Sequence, residues 1–158
     1  PGRHGIKLAT GGNILAALVG YSDFPGMQGA GFYYFESPDN EINEWFVEQH
    51  FERHNAAPDF FTAQGFAQAM AITEAIREAG GSTDTEDLIA AFEGLTFQTP
   101  KGEMEIRAED HQAMQDMYHF EIEVEERDDW FAGRTVEAGV PKLIRIIDRS
   151  EMDIPVRN

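Results

Sequence analysis

Two histidines lie four residues apart in a stretch that has the composition of a helix. His50 and His54 would share one face of that helix, which is the spacing of two metal ligands. The residues between them are Phe-Glu-Arg, so the glutamate that directly follows the first histidine in helical zinc proteases is missing. We interpret the pair as surface residues of a helix, and we predict no metal site and no cofactor.

Two other histidines stand next to carboxylates and could exchange protons with a substrate. These are Asp110-His111 and His119-Phe120-Glu121, which have the chemistry of a general acid or base. Neither is near a Gly-x-Ser-x-Gly or Ser-x-x-Lys motif, and the chain has no cysteine to act as a nucleophile or thiolate ligand. The sequence carries no catalytic signature, and it predicts a binding module rather than an enzyme.

Two glycine-rich segments near the start of the chain are candidates for ligand contact. Thr10-Gly11-Gly12-Asn13 follows the apolar strand end Leu8-Ala9, and open α/β sheets bind ligands at the carboxyl ends of their strands. A plain turn accounts for the same four residues. Gly26-x-x-Gly29-x-Gly31 precedes a predicted strand, whereas a phosphate-binding loop opens a helix, so we interpret it as a flexible turn.

An aromatic run, Phe32-Tyr33-Tyr34-Phe35, follows the second glycine-rich segment. Its composition predicts a strand. Its rings would form a short binding wall if they are exposed and part of the core if they are buried. The usual burial of large aromatic side chains favours the core.

Helices and strands follow one another along the chain in an order that predicts a mixed α/β fold. Capping residues and apolar spacing indicate the helices, and alternation of apolar and charged residues indicates the strands. The predicted helices cover about 40–55, 59–79 and 84–93, and the predicted strands after them cover 103–107, 118–124 and 143–147. The polar, acidic stretch between the last two strands predicts a connection.

The charge of the chain is strongly negative. Its 158 residues contain 12 Lys and Arg against 29 Asp and Glu, which gives a net charge of −17. A surface this acidic repels phosphate backbones, which argues against nucleic acid as a partner. The length is about that of one domain, and an apolar content of 42% is enough for a buried core.

Several ordered stretches resemble one protein family. Pro58–Met70 and Glu74–Asp84 are similar to the late helices of the type I periplasmic binding proteins, the substrate-binding subunits of branched-chain amino-acid-type ABC transporters. Leu88–Leu95, Phe97–Gly102 and Arg107–Gln112 continue in the order of that family. The upstream counterparts are Gly5–Lys7, the glycine-rich loop at 10–13, Gly29–Phe32 and Asn43–Val47.

The resemblance implies a partial type I periplasmic-binding-protein fold, in which parts of two Rossmann-like lobes are joined by hinge crossings. Residues 1–31 would be the end of the second lobe with its ligand loop. Residues 32–102 would be a hinge crossing and helices of the first lobe, and residues 103–158 would be the return crossing, the final strands and an acidic tail. Family members are much longer than 158 residues, so the resemblance implies a fragment of a longer protein.

The function implied by the resemblance is that of the extracytoplasmic solute-binding component of an ABC importer. It would bind a small polar or aromatic amino-acid-like ligand between two lobes without catalysis. The alternative is a ligand-sensing domain of the same fold in a receptor. The implied partners are an amino acid, amide or aromatic acid and a membrane permease, and exposed strand edges of the fragment would allow a homodimer. The implied location is periplasmic or extracellular, and the full-length protein would be either free or lipid-anchored.

The resemblance also implies which residues bind the ligand. The predicted ligand-binding residues are Thr10, Gly12, Asn13, Tyr33 and Tyr34. Relatives that bind amino acids often carry an Asp or Glu in the loop that corresponds to residues 10–13, and this loop has no acid. The aromatic run would suit a flatter or aromatic ligand. The stretch from 128 to 158 is longer and more acidic than the resemblance implies, and the sequence assigns it no role.

Overall fold

The strands of the chain form two β-sheets. The computed structural model describes residues 5, 8–11 and 14–157. The helices are α1 (Leu15–Gly20), α2 (Glu41–His54), α3 (Phe60–Glu78) and α4 (Thr85–Phe92), with short 3-10 helices at Tyr21–Asp23 and Arg149–Glu151. The strands are β1 (Ala9–Thr10), β2 (Gln28–Gly31), β3 (Thr96–Thr99), β4 (Gly102–Ile106), β5 (Ala113–Met114), β6 (Met117–Phe131) and β7 (Arg134–Ile147). This order confirms the mixed α/β fold class.

Local capping interactions fix the ends of the longer helices. The side chain of Asn40 accepts a hydrogen bond from the N–H of Asn43 at 2.9 Å, and the side chain of Asp59 accepts one from Thr62 at 3.1 Å. Helix α2 stops where Asn55 takes a left-handed conformation with φ of 49°. The three predicted helices are therefore confirmed. Helix α1 is a further short helix that the sequence does not signal.

The first sheet has the strand order β1-β2-β6-β7. Strands β1 and β2 pair in parallel, and β6 is antiparallel to both β2 and β7. Strands β6 and β7 form one long hairpin. Its two-residue turn has φ of 41° at Ala132 and 79° at Gly133, and turns with two positive φ values match the twist of antiparallel strands.

The hairpin shows that the predicted polar connection is wrong. Strand β6 extends to Phe131 and β7 begins at Arg134, so most of the stretch predicted as a connection is strand. Charged residues such as Glu126 and Asp128 have low strand propensity. Cross-strand pairing, which runs from Met117 opposite Ile147 up to the turn, overrides that local preference. Much of the predicted acidic tail is therefore the edge strand β7.

Strand β2 corrects a second prediction, because it covers Gln28–Gly31 and not the aromatic run after it. The glycine-rich segment interpreted as a flexible turn therefore contains a strand. The reason is the close approach of β1: a Cβ at position 29 would lie 2.0 Å from the carbonyl oxygen of Thr10. Gly29 permits this pairing, whereas Tyr33 and Tyr34 pack their rings inside the protein.

The second sheet is an antiparallel arrangement of β3, β4 and β5. Helix α3 packs on it through a row of alanines at helical spacing, which lets the helix approach closely. The buried residues of this cluster are Ala67, Ala71, Ala75, Leu95, Phe97 and Met104. The strand predicted around Met104 is confirmed.

A larger aromatic core joins the first sheet to α1 and α2. Leu18, Tyr33, Trp130 and Val140 are all at most 1% exposed and belong to this one cluster. Residues of all three predicted segments, 1–31, 32–102 and 103–158, contribute to the cluster. The division of these segments between two lobes stays a prediction.

Candidate functional site

The predicted ligand loop begins at the carboxyl end of β1. The hydroxyl of Thr10 is 2.8 Å from that of Tyr21, and this contact connects the loop to the 3-10 helix after α1. Thr10 is half-buried. Gly12 and Asn13, which share the predicted ligand-binding role, lie outside the described residues. The structure thus places one hydroxyl of the predicted site at the end of a sheet strand, where ligands bind in open α/β sheets.

Tyr33 and Tyr34 belong to the core, which is the alternative that their ring size favours. Tyr33 is fully buried, and its hydroxyl donates to Oδ1 of Asn43 at 2.8 Å. The Asn43 amide in turn donates to the carbonyl of Phe35 at 2.9 Å. The hydroxyl of Tyr34 donates to Glu36 at 3.1 Å. Burial raises the pKa of both phenols, so they stay protonated and act as fixed donors. Their contact with a ligand stays a prediction.

Arg127 near the hairpin turn holds the segment that follows β2. Its guanidinium donates to both carboxylate oxygens of Asp129, at 3.0 and 2.7 Å, and it also pairs with Glu36. It lies 5.8 Å from the Phe35 ring centroid and 5.7 Å from that of Trp130. The hydrogen bonds from Arg127 hold the pKa of Asp129 below its ordinary value. The arrangement holds Phe35 and Glu36 against β6.

Lys101 is a buried cation that the sequence analysis does not single out. It is 8% exposed, and its Nζ lies 4.6 Å from the ring centroid of Phe32 and 5.6 Å from that of Tyr118. The hydroxyl of Tyr118 donates to the Lys101 carbonyl at 3.1 Å. Burial lowers the pKa of Lys101 to about 7, and the charge of Asp116 opposes that shift. The residues Thr99-Pro100-Lys101-Gly102 have the composition of a turn, but the burial of the amine depends on tertiary contacts.

Two of the histidines considered above, His50 and His54, contact each other on helix α2. Their ring centroids lie 4.6 Å apart with the ring planes tilted by 48°, and Nδ1 of His50 lies 2.8 Å from the carbonyl oxygen of Ala56. Within the described part of the chain, no three His, Cys, Asp or Glu side chains are placed to hold a metal ion. Asp110 accepts two hydrogen bonds from Arg107, at 2.7 and 2.6 Å, which hold its pKa below the ordinary value. That carboxylate is engaged in an ion pair.

An open groove of about 600 Å³ lies between α3, α4 and β3. Glu78, Asp87 and Glu93 are among the residues that line it. Three carboxylates disfavour an anionic ligand. No helix among the described residues has both the length and the apolar character needed to cross a bilayer.

Comparison with known proteins identifies the class. The periplasmic binding protein family matches residues 3–129, and the chain belongs to that family. The resemblance of the helices to that family, and the partial fold it implies, are therefore confirmed. Among curated proteins, none matches the chain significantly.

Solved structures show which members of the class are similar. An ABC-type branched-chain amino acid transporter from Rhodopseudomonas palustris CGA009 is 51% identical, with a TM-score of 0.87 over 100% of this chain and 40% of that one. An ABC transporter from Rhodopseudomonas palustris is 55% identical over 78% of this chain and 36% of that one, with a TM-score of 0.52. A solute-binding protein from Rhodopseudomonas palustris BisB5, in complex with 3,4-dihydroxybenzoic acid, is 24% identical, with a TM-score of 0.71 over 92% of this chain and 38% of that one. The chain thus spans about 40% or less of the length of these structures.

Proposed function

We propose that the chain is part of the solute-binding component of an ABC importer and that it binds its ligand without catalysis. The superposition of the whole chain, at 51% identity, on an ABC-type branched-chain amino acid transporter carries this proposal. Membership of the periplasmic binding protein family supports a periplasmic location. The partner in this proposal is the membrane permease of the importer. No observation favours the alternative of a ligand-sensing receptor domain.

The proposed ligand is a small polar or aromatic amino-acid-like molecule, which is an amino acid, an amide or an aromatic acid. The loop at 10–13 has no acid to meet a ligand ammonium, which favours an aromatic acid over an α-amino acid. A structure of the same fold holds 3,4-dihydroxybenzoic acid, which supports that preference. Thr10, Gly12 and Asn13 would contact the ligand directly, and Tyr33 and Tyr34 would complete the site where the two lobes meet.

Calorimetry on the full-length protein tests this site. Thr10→Val keeps the shape of the side chain and removes its hydroxyl, and we expect about tenfold weaker binding of 4-hydroxybenzoate or L-leucine, whichever binds, because one ligand hydrogen bond is lost. Thr96→Val, on the exposed face of β3, is the matched control and should leave affinity unchanged. Equal affinity in both variants would remove Thr10 from the site. If a panel of amino acids, amides and aromatic acids gave no heat of binding, the proposed function would be wrong.

A further inference from the structure

Lys101 lies at the junction between the two sheets. Phe32 opens the segment that leaves the first sheet after β2, and Tyr118 stands in β6, where the chain returns from the second sheet. Lys101 itself is in the turn between β3 and β4 of the second sheet. Its Nζ therefore contacts both connections between the sheets, through the rings of Phe32 and Tyr118.

The ammonium group at this junction lacks an anionic partner among the described residues. Asp116 is the nearby acid that acts on it, but no described carboxylate comes within 4.0 Å of Nζ. The backbone N–H of Arg149 already donates to Oδ1 of Asp116 at 2.9 Å, and the Arg149 side chain binds Glu103. The other close polar contact is Sδ of Met117, 4.0 Å from Nζ. A buried ammonium is costly without a counter-charge, and two ring faces compensate only part of that cost.

We propose that Lys101 is an anion-binding group and that it pairs with the carboxylate of an aromatic acid at the sheet junction. The half-buried ring of Phe32, which lies beside the amine, would contact the flat apolar body of such a ligand, and the buried ring of Tyr118 would support the amine from the other side. Nζ stands at the end of a flexible four-carbon stem, so rotation of the side chain would bring it from the ring faces to a carboxylate. This inference rests on the proposed function and names the ligand class and the residue that recognises it.

Pairing of Lys101 with a ligand carboxylate should be accompanied by proton uptake. The folded chain holds Lys101 partly unprotonated at pH 7.5, and a carboxylate beside Nζ favours the charged form. Ligand binding must therefore take up protons on this amine. The titratable groups that act on or contact Lys101 are Asp116 and Tyr118. Asp116 accepts a hydrogen bond from the backbone of Arg149, and burial raises the pKa of Tyr118 to about 12, so Lys101 dominates the uptake at pH 7.5.

Calorimetry of the full-length protein with 4-hydroxybenzoate, at pH 7.5 in phosphate and in Tris, measures that uptake from the difference in heat between the buffers. We expect uptake of about half a proton in the wild type. Lys101→Met should abolish the uptake and weaken binding at least tenfold, whereas Lys101→Arg should keep the affinity and abolish the uptake. Lys142→Met alters a partly exposed lysine paired with Glu125 and should behave as wild type. The neutral 4-hydroxybenzamide should bind more weakly than the acid and without uptake.

The outcomes separate this inference from the proposed function. Tight binding and unchanged proton uptake in Lys101→Met would overturn the role of Lys101 and leave the solute-binding function intact. Undiminished proton uptake in Lys101→Arg would also overturn the role of Lys101, even if the Lys101→Met variant did not fold. If the wild type bound neither the acid, nor the amide, nor any amino acid, both proposals would be wrong.

Discussion

Gly29 lies where two strands approach too closely for any side chain. A Cβ there would meet the carbonyl oxygen of Thr10 at 2.0 Å and the Phe120 ring at 2.9 Å. Gly29→Ala should therefore destabilise the fold by about 1–3 kcal/mol, because the β1–β2 pair must separate.

Gly65→Ala is the matched control. Apart from its own helix backbone and its chain neighbours, no heavy atom lies within 4 Å of the Cβ that alanine would add at this position. Alanine should therefore stabilise helix α3 by about 0.5–1 kcal/mol. Urea unfolding followed by circular dichroism measures both, and shifts of the same sign would contradict the geometry.

Lys101 should make stability depend on pH. Its pKa is about 7 in the folded chain, against 10.5 as the ordinary value. Between these two pH values the unfolded chain holds a proton that the folded chain lacks, so unfolding takes up a proton and stability rises with pH. The slope from this one group is at most about 1.4 kcal/mol per pH unit. Urea midpoints at pH 7, 8 and 9 should rise less steeply in Lys101→Met than in the wild type, and parallel profiles would show that Lys101 is not buried as an amine.

Single residues also show where sequence reasoning stops. Large rings at Tyr33 and Tyr34 favour burial by their chemistry, and the structure places both in the core. Lys101 gives no such signal, because it lies in a Thr-Pro-Lys-Gly turn and turns usually run over the surface. Its burial arises from Phe32 and Tyr118, which are 69 and 17 residues away in the chain. No local pattern contains that information.

The turn of the β6–β7 hairpin contains a residue in an unfavourable conformation. Ala132 has φ of 41°, and the following Gly133 has φ of 79°. Asparagine at the first of two left-handed turn positions is preferred to alanine, so Ala132→Asn should stabilise the chain by about 0.5–1 kcal/mol. Thermal unfolding should show a higher midpoint for this variant. Ala90→Asn, on the exposed face of α4, should lower the midpoint because asparagine is a poorer helix former. A lower midpoint in Ala132→Asn would contradict the turn geometry.

Elements with local signals were predictable, and elements held by distant contacts were not. Helices α2, α3 and α4 begin at Asn40, Asp59 and Asp84, whose side chains cap them. The extension of β6 to Phe131 depends on pairing with β7. The residues of β6 closest to the turn do not alternate between apolar and polar, so the sequence does not signal a strand there. The sequence predicts a strand in the aromatic run, because ring-rich sequences favour strands, but the position of β2 is decided by the space that Gly29 leaves for β1.

The exposed edge of the first sheet bears on the association of the whole molecule. Strand β7 is the last in the sheet order, and it exposes Leu143, Ile144 and Ile146 by 45–50%. We propose that the isolated chain pairs with a second copy through this edge. The net charge of −17 opposes the pairing, and salt shortens the Debye length from about 10 Å at 0.1 M to about 3 Å at 1 M. Light scattering should show a larger dimer fraction in 1 M KCl than in 0.1 M.

Two variants give the association a specific test. Ile144→Lys adds a charge to the edge and should keep the chain monomeric at both salt concentrations. Ile72→Lys changes a similarly exposed side chain on α3 and should leave the dimer fraction unchanged. A monomer under all conditions, or an equal loss in both variants, would contradict pairing through β7.

The pairing of β2 with β6 has a consequence for the order of events during synthesis. Gln28 and Glu121, which hydrogen-bond across these strands, are 93 residues apart. At a ribosomal rate of about 5–20 residues per second, β2 emerges roughly 5 to 19 seconds before its partner. Over that interval its edge is open to other nascent chains. Its sequence is Gln-Gly-Ala-Gly, which presents a single methyl group and no larger apolar side chain. Strand β2 therefore has an unpaired edge for many seconds, but it presents little apolar surface to an aggregating chain before the β6–β7 hairpin is synthesised.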